Sequence, residues 1–214
     1  ERSTSPRSPQ SSAPTALAAA MEPNVDVFMR RPHLRDVPPV SVPAGSTLKR
    51  GADEQAWVSI QTAAEPFLMI SATGDQEGSW SHEFGPGNGC VPADVPQDVA
   101  LANMFTMYED ASGLPVGTAT AFRTTWHPQA CGRKPSAGVD AKTDGLVHWV
   151  AVLPAYQGRG LSKPLFSAVL AAHAAMGCAT ATLQTSTGRP GAISLCAARA
   201  RRPRTEQPLS LSLP

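Results

Sequence analysis

The strongest constraint in this chain is an ordered succession of three signals between residues 146 and 185. Leu146–Leu153 is an almost continuous apolar run, the pattern of a strand buried on both faces. Ser162–Met176 repeats apolar residues at helical spacing through Leu165, Phe166, Val169, Leu170 and His173, and Gly177 sits where a C-terminal cap belongs. Pro164 falls in the first turn of that helix, where a missing N–H does no harm. Ala179–Thr185 is a second β-rich run. Strand, helix and strand with short links predict a right-handed βαβ unit whose two strands are parallel.

The link between the first strand and the helix reads Pro154-Ala155-Tyr156-Gln157-Gly158-Arg159-Gly160-Leu161-Ser162. Glycine lets a backbone turn tightly and come close to a ligand. The helix N-terminus beyond it offers N–H groups without intrahelical partners and the positive end of the dipole, together a ready anion site. The amides around Gly158, Gly160 and Ser162 are therefore expected to cradle a pyrophosphate, with Arg159 and Lys163 adding charge. The competing reading is a glycine-rich turn that merely connects two elements. Two other phosphate loops fail on spacing. The chain has no Gly, four residues, Gly-Lys-Ser/Thr string, and a G-x-G-x-x-G fingerprint would need glycine where Lys163 stands.

Gln157, two spacers, Gly160, one spacer and Ser162 form a pattern that resembles the acetyl-CoA loop of the GNAT superfamily, with serine replacing the more usual glycine or alanine. The likeness runs from about residue 37 to 195 and is most specific at 146–166. Val42-Pro43-Ala44-Gly45 followed by Asp53, Glu54 and Trp57 looks like the entry to this fold in bacterial members of unassigned substrate. The hairpin with Val116-Gly117-Thr118-Ala119 is similar to their second and third strands, and Val147-His148-Trp149-Val150-Ala151-Val152 to their fourth. The resemblance implies a mixed α/β fold, with a mixed central sheet whose parallel fourth and fifth strands splay apart.

It also implies a reaction. Acetyl-CoA would lie in the cleft between the splayed strands, its pantetheine held by the backbone of Val150, Ala151 and Val152 like an added strand. Gln157, Gly158, Arg159, Gly160, Leu161, Ser162 and Lys163 would hold its pyrophosphate. A backbone N–H would polarise the thioester carbonyl, and an amine of a small molecule or a protein would attack directly, with no enzyme-bound acyl intermediate. The attacking ammonium must first lose a proton. His148 is the candidate base, because it lies on the strand lining the cleft and an unperturbed imidazole titrates near neutrality. The alternative is a core histidine satisfied by hydrogen bonds. Glu83 and Glu109 are weaker candidates that read rather as solvated loop residues, and Trp80, His82 and Phe84 either shape an acceptor pocket or pack locally.

The remaining segments follow from local signals. Ser46–Arg50 reads as a first short strand and Ala52–Ala64 as a helix ended by Pro66. The Pro-rich stretch from Arg31 to Gly45 is expected to be extended coil, and Gly74–Pro96 a short helix or a loop. Asn103–Tyr108 and Val116–Arg123 make an antiparallel hairpin across turn formers, and Thr124–Asp144 is another loop. With 21 prolines and only 16% charged residues, the chain reads as a folded centre with tails. Residues 1–24 are expected to be a disordered low-complexity segment in which a weak transit peptide is an open alternative and Met21 a candidate start. Residues 25–195 are expected to form the domain.

The family pattern then breaks. Relatives carry a Pro-Ala-Ile-x-Leu-Tyr string, a Gly-Phe turn and two more strands, whereas this chain reads Arg189-Pro190-Gly191-Ala192-Ile193-Ser194-Leu195-Cys196. Cys196 thus stands where the resemblance places a tyrosine that returns a proton to the departing CoA thiolate. Residues 196–214 are basic, proline-rich and without strand pattern, so the last strands are expected to be missing and the fifth strand to be an exposed edge. A shifted reading frame would give such a change; a targeting or nucleic-acid signal is the other reading of the basic run. The expectation is an N-acetyltransferase, the alternatives being an impaired acyl-CoA-binding module or a truncated product. The formal net charge of +1 offers no general attraction for nucleic acid or anionic membrane. No apolar run approaches a bilayer span. Cys90, Cys131, Cys178 and Cys196 form no CxxC pair, so free thiols, no metal and a cytoplasmic location are expected.

Overall fold

The computed structural model describes residues 26–65, 70–74, 78–87, 91–123 and 143–186. Six strands form one mixed sheet: β1 (Asp26–Pro32), β2 (Ser46–Arg50), β3 (Met104–Glu109), β4 (Pro115–Arg123), β5 (Asp144–Val152) and β6 (Thr180–Ser186). Their order across the sheet is β1-β6-β5-β4-β3-β2. Only β5 and β6 are parallel; every other neighbouring pair is antiparallel. Among the described residues four helices accompany the sheet: α1 (Glu54–Ala64), α2 (Trp80–Phe84), α3 (Gln97–Leu101) and α4 (Ser162–Ala175). The hairpin and the β5-α4-β6 unit stand within two residues of their expected bounds.

The two faces of the sheet carry different cores. Leu165, Val169 and Leu170 of α4 pack with Met107, Val116, Ala119 and Val147. Gly117 permits this close approach, since a Cβ there would lie 2.9 Å from Leu165 Cδ1. On the opposite face Trp57 of α1 meets Trp80, Phe84 and Trp149 edge-on, at ring-centre distances of 5.7, 5.4 and 5.5 Å. Asp53 caps α1 by accepting a hydrogen bond from the Ala56 amide at 2.9 Å. Its other carboxylate oxygen accepts the Tyr108 hydroxyl. Burial, with Asp53 adding to it, pushes the Tyr108 phenol up to about 12.

Two expectations are corrected. Residues 31–45 are not coil throughout: β1 extends to Pro32 and a 3-10 turn follows at Leu34–Asp36. Leu34 is buried against the α4 core, and Ser167 Oγ donates to the Pro38 carbonyl at 3.2 Å, so the chain crosses the α4 face from one sheet edge to the other. Secondly, β6 is not an exposed edge. β1 pairs along its whole length, from Asp26↔Ser186 to Pro32↔Thr180. Arg30 anchors this ladder by donating to the buried Asp144 carboxylate at 3.2 Å, which also accepts the Thr180 hydroxyl. Of the two alternatives expected for Gly74–Pro96 the structure shows the short helix, α2, capped by Ser79, and Gln97–Leu101 adds α3, which has no side-chain cap to announce it.

No helix among the described residues is long and apolar enough to cross a membrane. Of the expected loop at Thr124–Asp144, residues 124–142 lie outside the described residues, as does the basic run from residue 196, while Asp144 already begins β5.

Candidate functional site

The site begins where two parallel strands part. β5 and β6 pair only at Asp144↔Thr180, Gly145↔Ala181 and Leu146↔Thr182. Beyond that point β6 keeps its ladder with β1 to Ser186, while β5 keeps its ladder with β4 to Val152. Residues 147–152 therefore have no ladder to β6, and a cleft opens between the strands. The expected run of full burial along β5 fails there for the same reason: His148, Trp149 and Val150 are only half-buried.

A bulge lies inside that segment. Thr118 pairs with Ala151 and Thr120 with His148, so Ala119 alone faces both Trp149 and Val150. Trp149 takes a left-handed conformation, φ 47°, which an L-residue other than glycine seldom adopts. Its carbonyl accepts a hydrogen bond from Gln61 Nε2 of α1 at 2.9 Å. A bulge bends its strand and re-aims the groups that follow. Val150, Ala151 and Val152, expected from the sequence to hold a ligand through their backbone, all come after it.

The glycine loop closes the far end of the cleft. After β5 a 3-10 turn at Pro154–Tyr156 leads into Gln157, whose Nε2 donates to the Val152 carbonyl at 3.2 Å and ties the loop to the strand. Gly158 and Gly160 have φ of 76° and 82°, and a Cβ on either would meet nothing within 4 Å. Their glycine is required by the backbone conformation and not by packing, and the space before them is open. Leu161 is buried and anchors the start of α4, Ser162 is the helix's first residue, and no side chain caps this end. Lys163 is exposed beside it. Arg159 lies with its guanidinium 4.5 Å from the centre of the Tyr156 ring and donates to the Ala155 carbonyl at 3.0 Å. The Ser112 and Tyr156 hydroxyls and the Arg159 charge hold the Glu109 carboxyl below its usual range. Glu109 thus serves the loop and lies apart from His148.

His148 occupies the bend of β5. Its Nε2 is 2.9 Å from Glu83 Oε2, and the ring stacks on Phe122 at 4.8 Å with an interplanar angle of 21°. Glu83 is 1% exposed, and its other oxygen accepts the Gly78 amide at 3.0 Å. Glu83 is therefore not a solvated loop residue. The turn before α2 and the aromatic layer around Phe84 carry it beneath the sheet. Trp80 and Phe84 are buried in that layer against Trp57, Met104 and Phe122. Sequence reasoning missed Gln61 and the Glu83–His148 pairing. The Ser79 cap three residues before His82 would have revealed α2, but nothing local shows which side chain meets His148. Cys196 lies outside the described residues.

A family model described as "Acetyltransferase (GNAT) family" matches residues 84–199, which takes in β3 to β6, the cleft and the glycine loop. The chain belongs to the GNAT acetyltransferase family. GNAT proteins are acyltransferases, and the mixed sheet with parting parallel strands is their fold. The GNAT strands expected as the fourth and fifth are β5 and β6 here, since β1 precedes the predicted first strand. Among solved structures, a GCN5-related N-acetyltransferase from Sphaerobacter thermophilus is 20% identical with a TM-score of 0.54, over 90% of this chain and 50% of that one. A Drosophila protein is 13% identical with a TM-score of 0.53, over 83% of this chain and 46% of that one. This GNAT chain thus spans about half the length of either. No curated protein matches it.

Proposed function

We propose that this protein transfers an acetyl group from acetyl-CoA to a primary amine, by direct attack within a ternary complex. The observation that carries the reading is the parting of β5 from β6 beyond Leu146, directly before a glycine loop that opens onto the N-terminus of α4. The residues fit the co-substrate. Gly158 and Gly160 leave open ground for a pyrophosphate, Gln157, Leu161 and Ser162 shape the loop and the helix start, and Arg159 and Lys163 supply charge. The backbone of Val150, Ala151 and Val152 would pair with the pantetheine.

The amine nitrogen attacks the thioester carbonyl, and the negative charge that develops on oxygen is stabilised by a β5 amide. The C–S bond then breaks, the acetyl group stays on nitrogen, and the CoA sulfur leaves as thiolate and takes a proton. His148 receives the proton that the acceptor's ammonium must lose, and Glu83 holds the imidazole in place through Nε2. Cys196 stands at the sequence position of the family's tyrosine and is proposed to return a proton to the thiolate. The acceptor is a small-molecule or protein amine.

Calorimetric titration of acetyl-CoA, followed by turnover with a panel of amines, tests the reading. Micromolar binding with acetylated product supports it. Binding without product from any amine would favour an acyl-CoA-binding module, and a folded protein that does not bind would end both readings.

A further inference from the structure

Trp149 is held in its left-handed conformation from both ends by one face of α1. Its carbonyl takes the Gln61 amide N–H at 2.9 Å, and its ring meets the Trp57 ring edge-on at 5.5 Å. Residues four apart on a helix share a face, so Trp57 and Gln61 reach β5 side by side. A strained backbone persists only where its surroundings over-determine it. Gln61 is 1% exposed, and an amide so buried is tolerated only if it is hydrogen-bonded. This buried amide donates to a β5 carbonyl 88 residues away, at the one bulge in the strand that lines the cleft. Releasing it frees the Trp149–Val150 peptide to rotate toward the ordinary extended conformation, and the next amides then point elsewhere.

We infer that Gln61 is a positioning residue: it sets the peptide plane at Trp149 and so aims the β5 amides that face the acyl group. The inference rests on the proposed acyl-transfer reading for its consequence in catalysis, but the backbone clamp is measurable by itself. Gln61→Met keeps size and apolar contact while deleting the donor, and Gln61→Leu deletes it with a shorter, branched side chain. Hydrogen exchange of the full-length protein is followed at residues 147–153 and, as an internal reference, at α4. The expected result for either variant is exchange at least about 10-fold faster at 147–153, as in local opening, with α4 unchanged. The expected kinetic result is kcat lower by about 10- to 100-fold, with a smaller rise in the acetyl-CoA Kd as the pantetheine loses part of its pairing with β5.

Unchanged exchange at 147–153 would overturn the clamp whatever the activity. Faster exchange with unchanged kcat would overturn the role in the reaction. Faster exchange spread equally over α4 would mean that Gln61 only supports the fold. If the wild-type protein acetylates nothing, the acyl-transfer reading fails with the catalytic role, while the exchange experiment still decides the clamp. Should the Met variant not fold, the Leu variant carries the same comparison.

Discussion

Gly145 of β5 lies so close to His173 of α4 that a Cβ on it would come within 2.3 Å of the imidazole Cδ2. The ring has nowhere to retreat, because its Nε2 is 3.1 Å from both the Phe122 and the Leu146 carbonyls. The helix is thus keyed into the sheet at the last residues where β5 and β6 are paired. Gly145→Ala should destabilise the protein by about 3 kcal/mol, at the upper end of ordinary overpacking. Urea denaturation measures this, and a loss under about 0.5 kcal/mol would mean that the helix can shift freely.

The same imidazole makes stability depend on pH. Burial pushes the His173 pKa down to about 4, against a smaller upward pull from the two carbonyls. The unfolded chain takes up a proton near the ordinary value of 6.5, while the folded protein resists until about 4. Unfolding is therefore favoured as pH falls through this window, by roughly 3 kcal/mol in total. Above about 6.5 this dependence vanishes. Denaturation of wild type and His173→Gln at pH 7.5 and 4.5 isolates it, and equal losses in both proteins would exclude His173 as the source.

Gly160→Val tests the loop. A Cβ there meets nothing within 4 Å, so the folding cost is mainly that of the left-handed backbone, about 1–2 kcal/mol. The new side chain would nevertheless occupy the open ground before α4. Acetyl-CoA affinity should fall by about 100-fold or more, equivalent to about 3 kcal/mol. Calorimetry on the folded variant reads this directly, and unchanged affinity would remove the loop from the binding site.

His148→Ala should lower kcat by about 100- to 10,000-fold, the usual span for a lost general base, with acetyl-CoA binding nearly unchanged. Glu83→Gln should lower kcat less, since its amide still reaches the ring. A variant of His148 that loses thermal stability and keeps its turnover would return the residue to the aromatic core.

What the sequence by itself determined is the part written in short-range physics. Apolar periodicity, a proline in the first helical turn, Gly177 at φ 80° after the helix, and glycines in a strand-to-helix turn each act over a few residues. They set the β5-α4-β6 unit, the hairpin and the glycine loop. Tertiary structure alone decided three other things. β1 covers β6 through a ladder joining Asp26 to Ser186, at opposite ends of the described chain. Glu83 is buried against His148 because α2 tucks under the sheet, and its sequence neighbourhood of glycine and serine reads as solvated. The bulge at Trp149 exists because Gln61 and Trp57 reach it from α1. Each depends on which distant groups share the same small volume, and a carboxylate or an amide has no local pattern that tells whether water or protein will satisfy it.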